Sequence, residues 1–261
     1  MDKRLTFDED VVNYDKWRPK YCSDLFSDII RYSGIDSNKL AIEVGCGTGQ
    51  ATEPILKTGC SCIAVEYGKN FAAYAKDKFK HYPKFKIINM EFEKCHLSES
   101  SADLLFSATA FHWIPEKQGY VKAYNILKSG ATIALFWNRP YVNKQGNLLH
   151  QCIQMIYDLF RPGDIGKPKI DIENDNERYQ TISGSIERYG FINLKYSIYK
   201  QSRCFTSNDY ISLLNTYSDH RQLHEPIKSE FENEIKLAIE NHGGTITIYD
   251  TMDLYLAQKP K

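Results

Sequence analysis

A glycine-rich loop directly after a short apolar run is the feature that most limits what this chain can fold into. The run Leu40–Val44 breaks into Gly45-Cys46-Gly47-Thr48-Gly49, a pattern that predicts a strand, a tight loop and a helix. Glycines at such a turn let the backbone bend sharply and approach a ligand with no Cβ in the way. The dinucleotide fingerprint G-x-G-x-x-G/A does not fit, because its final position falls on Gln50 or Thr52. The phosphate-loop motif G-x-x-x-x-G-K-[ST] is also absent from the sequence.

Apolar runs alternate with helical patterns through the first half of the 261-residue chain. Further strand candidates are residues 62–65, 85–88, 103–106 and 131–137. A strand followed by a helix, repeated about every 20 to 30 residues, is typical of a parallel sheet with helices on both faces and right-handed crossovers. The sequence therefore predicts an α/β fold.

Helical spacing of apolar residues indicates where the helices lie. A first helix is predicted to begin near Trp17, with Pro19 in its first turn, and to end at Gly34. Pro54 lies inside the helix expected after the glycine loop, where it either kinks that helix or begins a second segment. The helix that Pro115 opens is predicted to carry Val121, Tyr124 and Leu127 along one side.

The second half of the chain is less regular. Residues 148–159 have a strongly amphipathic helical pattern, and the polar stretch 161–178 is typical of an exposed loop. The remaining predicted elements are a strand over 192–199, helices over 207–214 and 227–238, and strand segments at 245–248 and 253–257.

Charge and cysteine content narrow the function classes. Lys plus Arg and Asp plus Glu are 33 each, and zero net charge argues against a dedicated nucleic-acid or anionic-membrane binder. We find no apolar stretch of the length, about 18 residues, that spans a bilayer, and no apolar signal region at the N-terminus. Seven scattered cysteines without zinc-site spacing predict reduced thiols, no metal and a cytoplasmic location.

Several features, in the right order over residues 40 to 137, resemble the class I S-adenosylmethionine-dependent methyltransferases. Glu43 to Gly49 is similar to their E/D-x-G-x-G-x-G motif, and Glu66 stands where they keep an acid for the ribose hydroxyls. Glu91-Phe92-Glu93 occupies the place of their adenine-binding stretch, with Glu for the usual Asp and Phe for the usual Ala. Leu127-Lys128-Ser129-Gly130 resembles their L-K-P-G-G turn, with Ser for Pro.

More narrowly, the chain resembles the trans-aconitate methyltransferase-like group of small-molecule enzymes. The motifs that carry this likeness are Tyr14-x-x-Trp17-Arg18-Pro19, the stretch Ala108–Trp113 and the stretch Leu214–Ser218. The resemblance implies a small, acidic substrate.

The class I resemblance also implies where S-adenosylmethionine binds. Glu43 has a structural alternative, as an acceptor for nearby backbone N–H groups, and Arg18 could take a carboxylate of either cofactor or substrate. The cofactor-binding residues expected from the resemblance are Tyr14, Arg18, Glu43, Gly45, Cys46, Gly47, Gly49, Glu66, Tyr67, Glu91, Phe92 and Ala108.

His112 is the candidate catalytic residue, because histidine titrates near neutral pH and can act as a general base. A hydroxyl nucleophile would need such a base, whereas a carboxylate is already ionised and would leave His112 as a hydrogen-bonded wall residue. Aromatic side chains at strand ends can line a substrate pocket, and core packing explains them equally well. The candidate substrate residues are Trp17, Phe111, Trp113, Trp137 and Asn138.

The expected architecture is therefore the class I methyltransferase (Rossmann-like) α/β fold, a seven-stranded mixed sheet with helices on both faces. By resemblance its last strand runs antiparallel. We expect residues 1–38 to form an N-terminal lid segment and first helix, and residues 39–140 the S-adenosylmethionine-binding core. Residues 141–261 would add a helical cap that selects the substrate, from insertions near 141–186 and 204–242, and the last two strands.

The function implied is transfer of the methyl group of S-adenosylmethionine to an oxygen nucleophile, preferably a carboxylate, of a small acidic molecule. Zero net charge, and no N-P-P-Y or D-P-P-Y after the fourth strand, turn the prediction away from nucleic acid. Two alternatives stay open: a non-catalytic cofactor-binding protein of the same fold, and an NAD(P)-dependent oxidoreductase, which Gln50 and Thr52 disfavour.

Overall fold

A single mixed sheet of seven strands forms the centre of the molecule in the computed structural model, which describes residues 8, 10–141, 146–161 and 176–261. The strands are β1 (Leu40–Val44), β2 (Ser61–Glu66), β3 (Phe85–Asn89), β4 (Ala102–Ala108), β5 (Leu127–Tyr141), β6 (Ile192–Thr206) and β7 (Thr245–Gln258). Their order across the sheet is β3-β2-β1-β4-β5-β7-β6. The first five strands are parallel, and β7 runs antiparallel to both of its neighbours. This arrangement confirms the mixed sheet and the antiparallel last strand.

Helices cover both faces of the sheet. They are α1 (Val11–Trp17), α2 (Ser23–Ser33), α3 (Thr52–Leu56), α4 (Lys69–Lys78), α5 (Glu116–Ile126), α6 (Leu148–Phe160), α7 (Asn176–Arg188), α8 (Ser207–Leu214), α9 (Ser218–Arg221) and α10 (Ile227–Asn241). None of the helices in the described ranges is long and apolar enough to cross a bilayer.

Three apolar clusters hold the layers together. Alternate side chains of a strand point to opposite faces, so Ala41 joins the cluster beneath α2, α3 and α4, and Ile42 joins the cluster beneath α5 and α7. A third cluster lies among α6, α8 and α10 and includes Ile246 and Ile248 of β7. These three helices therefore form a separate layer on the last strands, where the sequence predicts a helical cap.

The prediction of one long helix from Trp17 to Gly34 is wrong. α1 ends at Trp17, because Arg18 is extended (ψ 146°) and a residue before proline disfavours the helical region. The second helix, α2, spans Ser23–Ser33, and Gly34 caps it in the left-handed conformation. Pro54 lies in the first turn of α3, where its missing N–H leaves no helical hydrogen bond unmade.

Two further predictions need correction. Leu127 is the first residue of β5, and Val121 is 42% exposed, so the buried side of α5 is formed by other residues. That side consists of Gly119, Tyr120, Ala123 and Ile126. Of the loop predicted over 161–178, residues 162–175 lie outside the described residues, and Asn176 already begins α7.

The last strand is continuous, although its middle is polar in sequence. Asp250 and Asp253 are both buried in β7. Their charges are compensated by distant cations: Arg203 of β6 donates from Nε to Asp250 Oδ2 at 2.5 Å, and Arg178 of α7 donates from Nε to Asp253 Oδ2 at 2.8 Å. Because both cations come from other elements, spacing within the strand could not indicate this burial.

The glycine loop packs tightly against the helix that follows β2. Gly49 has φ +87°, and a Cβ placed there would lie 2.2 Å from Cε2 of Phe79, a side chain that is 2% exposed. Gly146 has a similar φ of +79° with no atom within 4 Å of such a Cβ.

We predict that Gly49→Ala lowers the free energy of unfolding by about 2–5 kcal/mol, since it adds overpacking of about 1–3 kcal/mol to left-handed strain of about 1–2 kcal/mol. Gly146→Ala, which pays the strain alone, is the matched control. Urea denaturation of both variants measures the difference, and equal losses would contradict the packing argument.

Candidate active site

A cavity of about 290 Å³ opens at the carboxyl ends of β1, β2 and β4. The chain reverses its direction of travel across the sheet at β1, between β2 and β4, and ligands bind at such switch points in open α/β sheets. The volume is near the lower end of small-molecule sites, about 300–1,000 Å³. The cavity is lined by Tyr14, Arg18, Val44, Gly45, Gly47, Val65, Glu66, Tyr67, Phe71, Met90, Glu91, Phe92, Glu93, Ala108, Thr109, Ala110, His112, Trp113 and Ile114.

The glycine loop forms the floor of this cavity. Gly45 has φ +71°, donates its N–H to the carbonyl of Val65 at 2.8 Å, and leaves no room for a side chain, since a Cβ would lie 2.4 Å from Cβ of Ala110. Gly47 has φ +54° and donates its N–H to Glu66 Oε2 at 2.8 Å. The loop therefore presents bare backbone to a ligand.

Glu66 joins the two loops that meet at the cavity. Its Oε2 accepts the N–H of Gly47, and its Oε1 accepts the N–H of Gly68 at 2.7 Å. The side chain is 7% exposed, and burial raises the pKa of the carboxyl although both hydrogen bonds favour the charged form. Each carboxylate oxygen can accept more than one hydrogen bond, so the residue can also bind ligand hydroxyls.

Glu43 lies beneath the loop and does not line this cavity. It is fully buried, and its Oε2 accepts the hydroxyl of Thr52 at 2.5 Å, while Oε1 has no hydrogen-bond partner among the described residues. Burial, with a smaller contribution from the charge of Glu66, raises the pKa of Glu43 to about 8. Glu43 thus ties β1 to α3 through the Thr52 hydroxyl, whereas the structural alternative named backbone N–H groups as its partners.

The stretch after β3 forms the far wall of the cavity. Phe92 is 4% exposed and packs in the apolar cluster below α5, and Glu91 Oε1 accepts Nζ of Lys94 at 2.6 Å. Tyr67, Met90 and Phe71 complete an apolar and aromatic surface there. A flat aromatic ring would find packing partners on this side.

The N-terminal segment covers the near side of the cavity. Tyr14 packs edge-on against Phe71, with ring centroids 4.8 Å apart. The Arg18 guanidinium lies between two rings, 5.0 Å from that of Tyr14 and 4.1 Å from that of Tyr217, and donates to the carbonyl of Thr216 at 2.8 Å. An ion pair of 2.8 Å between Asp15 and Lys78 further holds α1 on α4. In this structure residues 10–18 of the segment expected to act as a lid are therefore packed on the core.

A second cavity, of about 180 Å³, adjoins the first around Arg18 and shares the glycine loop with it. Cys46, Gln50, Asn138 and Tyr217 also line it. Asn138 is 8% exposed, and neither its Oδ1 nor its Nδ2 has a hydrogen-bond partner among the described residues. An unsatisfied buried amide is costly, so this side chain is available to a ligand.

His112 lines the first cavity from the short turn after β4. Its Nδ1 accepts a hydrogen bond from Nε1 of Trp137 at 3.0 Å. Burial lowers the pKa of His112, and the charge of Arg178 lowers it further. Trp113, whose ring centroid is 4.9 Å from that of His112, is 39% exposed beside it.

The structure does not bring every predicted residue into these two cavities. Trp17 packs against Phe205, with ring centroids 6.4 Å apart, and Phe111 is buried against Tyr120. Trp137 contacts His112 from behind, and Gly49 packs on Phe79. The two cavities are also lined by residues that were not among the predicted site residues: Val44, Gln50, Val65, Phe71, Met90, Glu93, Thr109, Ala110, Ile114 and Tyr217, together with Pro19, Tyr21, Ala51 and Pro140. Met90, Thr109 and Ala110 directly follow β3 and β4, a position that would have flagged them.

The raised pKa of Glu43 gives a prediction for stability. Glutamate with a folded-state pKa of about 8 and an ordinary unfolded value near 4.5 is protonated in the fold where the unfolded chain is ionised. Stability is therefore lost as the pH rises from about 4.5 towards 8, on the order of 1 kcal/mol per pH unit.

We predict that Glu43→Gln, which keeps an acceptor for Thr52, gains stability relative to the wild type as the pH rises through this window. Chemical denaturation at a series of pH values measures the gain. Glu53→Gln is the control, because the Lys57 hydrogen bond lowers the pKa of exposed Glu53 and leaves it ionised throughout. A pH-independent difference between wild type and Glu43→Gln would show that Glu43 is ionised in the fold.

Known proteins match both the sequence and the fold. The family model of a methyltransferase domain matches residues 42–135. An uncharacterized methyltransferase-like protein of Schizosaccharomyces pombe is 25% identical over 236 residues, which cover 88% of this chain and 84% of that protein.

Two solved structures show the shared fold. A candidate type II methyltransferase from Anaeromyxobacter dehalogenans has a TM-score of 0.63 at 17% identity, over 94% of this chain and 99% of that one. Phosphoethanolamine N-methyltransferase 2 of Haemonchus contortus, in complex with phosphomonomethylethanolamine and S-adenosylhomocysteine, has a TM-score of 0.55 at 12% identity, over 97% of this chain and 58% of that one.

The oxidoreductase and non-catalytic alternatives are set aside. The sheet order and the solved structures show the class I fold. The matched domain and the sequence relative show that this chain is an S-adenosylmethionine-dependent methyltransferase.

Proposed function

We propose that this enzyme methylates a carboxylate oxygen of a small acidic molecule. The observation that supports the proposal is that two arginines lie near the candidate acceptor site. Arg178 lies close enough to lower the pKa of His112, and Arg18 lines both cavities. Arg178 is paired with buried Asp253, and Glu66, Glu91 and Glu93 also line the first cavity. The preference for an anionic acceptor therefore rests on the two arginines together with the resemblance to enzymes of small acids.

The cofactor site is also a proposal. The adenosine would occupy the first cavity, with the adenine near Phe92, Glu91 and Tyr67 and the ribose hydroxyls on Glu66. The amino-acid end would extend over Gly45 and Gly47 into the second cavity, between Arg18 and Asn138. Two observations support this fit: Gly45 leaves no room for a side chain, and the buried amide of Asn138 lacks a partner among the described residues.

The chemistry divides between cofactor and protein. S-adenosylmethionine, when bound, supplies a methyl group already activated by its sulfonium. The chain contributes alignment of the acceptor and exclusion of water, and aromatic faces near a cation can stabilise its charge. An ionised carboxylate needs no base, which is consistent with the lowered pKa of His112.

The class of acceptor and the cellular compartment are also part of the proposal. The similarity to the trans-aconitate methyltransferase-like group supports a small acidic acceptor rather than nucleic acid. All seven cysteines are unpaired, and four of them, Cys46, Cys60, Cys62 and Cys95, are buried. Unpaired thiols are typical of a reducing compartment, and we propose a cytoplasmic location.

We predict that Glu66→Ala weakens binding of S-adenosylhomocysteine at least tenfold, because a hydrogen bond to a charged group contributes about 1.5–3 kcal/mol. Glu66→Gln, which keeps one acceptor oxygen, should lose less. Isothermal titration calorimetry measures both affinities. Since Glu66 also holds Gly47 and Gly68, circular dichroism must first show that each variant is folded. Unchanged affinity in a folded Glu66→Ala variant would remove this residue from the cofactor site.

A panel of small carboxylic acids, alcohols and amines tests the acceptor class. We expect release of S-adenosylhomocysteine with one or more di- or tricarboxylates. The product should lose methanol in mild base, because esters hydrolyse there and ethers and methylamines do not. A base-stable product, or turnover confined to alcohols or amines, would contradict the carboxylate proposal.

A further inference from the structure

We infer that Trp137 fixes His112 as a neutral imidazole with its proton on Nε2, so that His112 donates a hydrogen bond to the acceptor oxygen and does not remove a proton from it. Trp137 is then a positioning residue that acts through His112. The acceptor part of this inference rests on the proposed function, whereas the protonation state of His112 does not.

The argument begins with the direction of one hydrogen bond. An indole N–H can only donate, and Nε1 of Trp137 lies 3.0 Å from Nδ1 of His112. Nδ1 must therefore present its lone pair to Trp137. A neutral imidazole carries a single proton, so that proton is on Nε2, which has no hydrogen-bond partner among the described residues.

The indole is held firmly in this position. Trp137 is 6% exposed and packs edge-on against Tyr255, with ring centroids 6.0 Å apart. The Arg178 guanidinium carbon lies 5.0 Å from the Trp137 ring, and Arg178 Nε in turn donates to fully buried Asp253 at 2.8 Å. Three elements, β5, β7 and α7, thus place the donor opposite Nδ1.

The surrounding charges also favour the neutral ring. A doubly protonated imidazole would set its Nδ1–H against the indole N–H, and Arg178 adds a second positive charge from α7. Asp253 of β7 lies behind Arg178 and pairs with it. The remaining charged groups that line the first cavity are Arg18, Glu66, Glu91 and Glu93. Burial, the larger cause, and Arg178 lower the pKa of His112 accordingly.

The consequence for the reaction is that neither nitrogen offers a lone pair to a substrate proton. Nδ1 is occupied by Trp137, and Nε2 is protonated. A carboxylate suits this site, because one of its oxygens can accept the Nε2–H while the other attacks. The attacking oxygen forms the new C–O bond as the C–S bond breaks, and that electron pair stays on sulfur, so no proton is transferred.

Nitrogen-15 NMR of the full-length enzyme tests the protonation state without any acceptor. The His112 signals are identified by their loss in His112→Gln. At about pH 7 we expect a protonated Nε2 and an unprotonated Nδ1. An Nδ1–H tautomer or an imidazolium in the wild type would overturn the inference.

Trp137→Phe keeps the ring and removes the indole N–H. We expect the tautomer to become mixed and the pKa of His112 to rise by about half a unit to one unit, since one hydrogen bond to the neutral form is lost. Trp113→Phe, which removes the other indole beside His112, is the matched control and should leave the tautomer unchanged. An unaltered tautomer and pKa in folded Trp137→Phe would overturn the role of Trp137.

Turnover tests the donor role with whichever acceptor the panel identifies. His112→Gln retains an N–H donor but cannot act as a base, and His112→Ala retains neither. For a donor, we expect kcat/KM in His112→Gln to stay within about tenfold of the wild type and to fall further in His112→Ala. Equal, large losses in both variants would indicate a base. If the panel shows no carboxylate turnover, the proposed function fails, and the NMR result still decides the protonation state.

Discussion

The rest of the site depends on the carboxylate of Glu66, which links the loop after β1 to the loop after β2. One oxygen accepts the N–H of Gly47 and the other accepts the N–H of Gly68. Backbone N–H groups at such turns must find partners when they are buried. One buried side chain satisfies two of them here and so fixes the distance between the two loops that form the floor of the cavity.

Glycine is required on the same floor for steric reasons. Gly45 lies against Ala110 and Gly49 against Phe79, so the loop is pressed between the turn after β4 and the helix after β2. Left-handed backbone at both positions lets the chain make this passage. The bare backbone over which a ligand would lie is therefore a product of packing beneath it as much as of the ligand above it.

Local patterns were sufficient to predict the glycine loop, the first five strands and the place of Glu66, because each depends on residues adjacent in sequence. They failed where the local structure depends on groups that are distant in sequence. α1 was missed because its seven residues are held on α4 and α8 by tertiary contacts. The continuity of β7 depends on Arg203 and Arg178, and the hydrogen bond between Trp137 and His112 joins residues 25 positions apart. His112 and Trp137 were each singled out from sequence, but the hydrogen bond between them was not predicted.

The separation of the three apolar clusters has a consequence for how this enzyme can diversify. The cluster among α6, α8 and α10 shares no buried residue with the two clusters that support the glycine loop and Glu66. Substitutions in that layer can reshape the surface beside the second cavity while the floor of the first cavity keeps its packing. Arg18, in contact with both Tyr14 and Tyr217, is where the two parts meet. A laboratory search for new acceptors would therefore vary the helical layer and leave Arg18 in place.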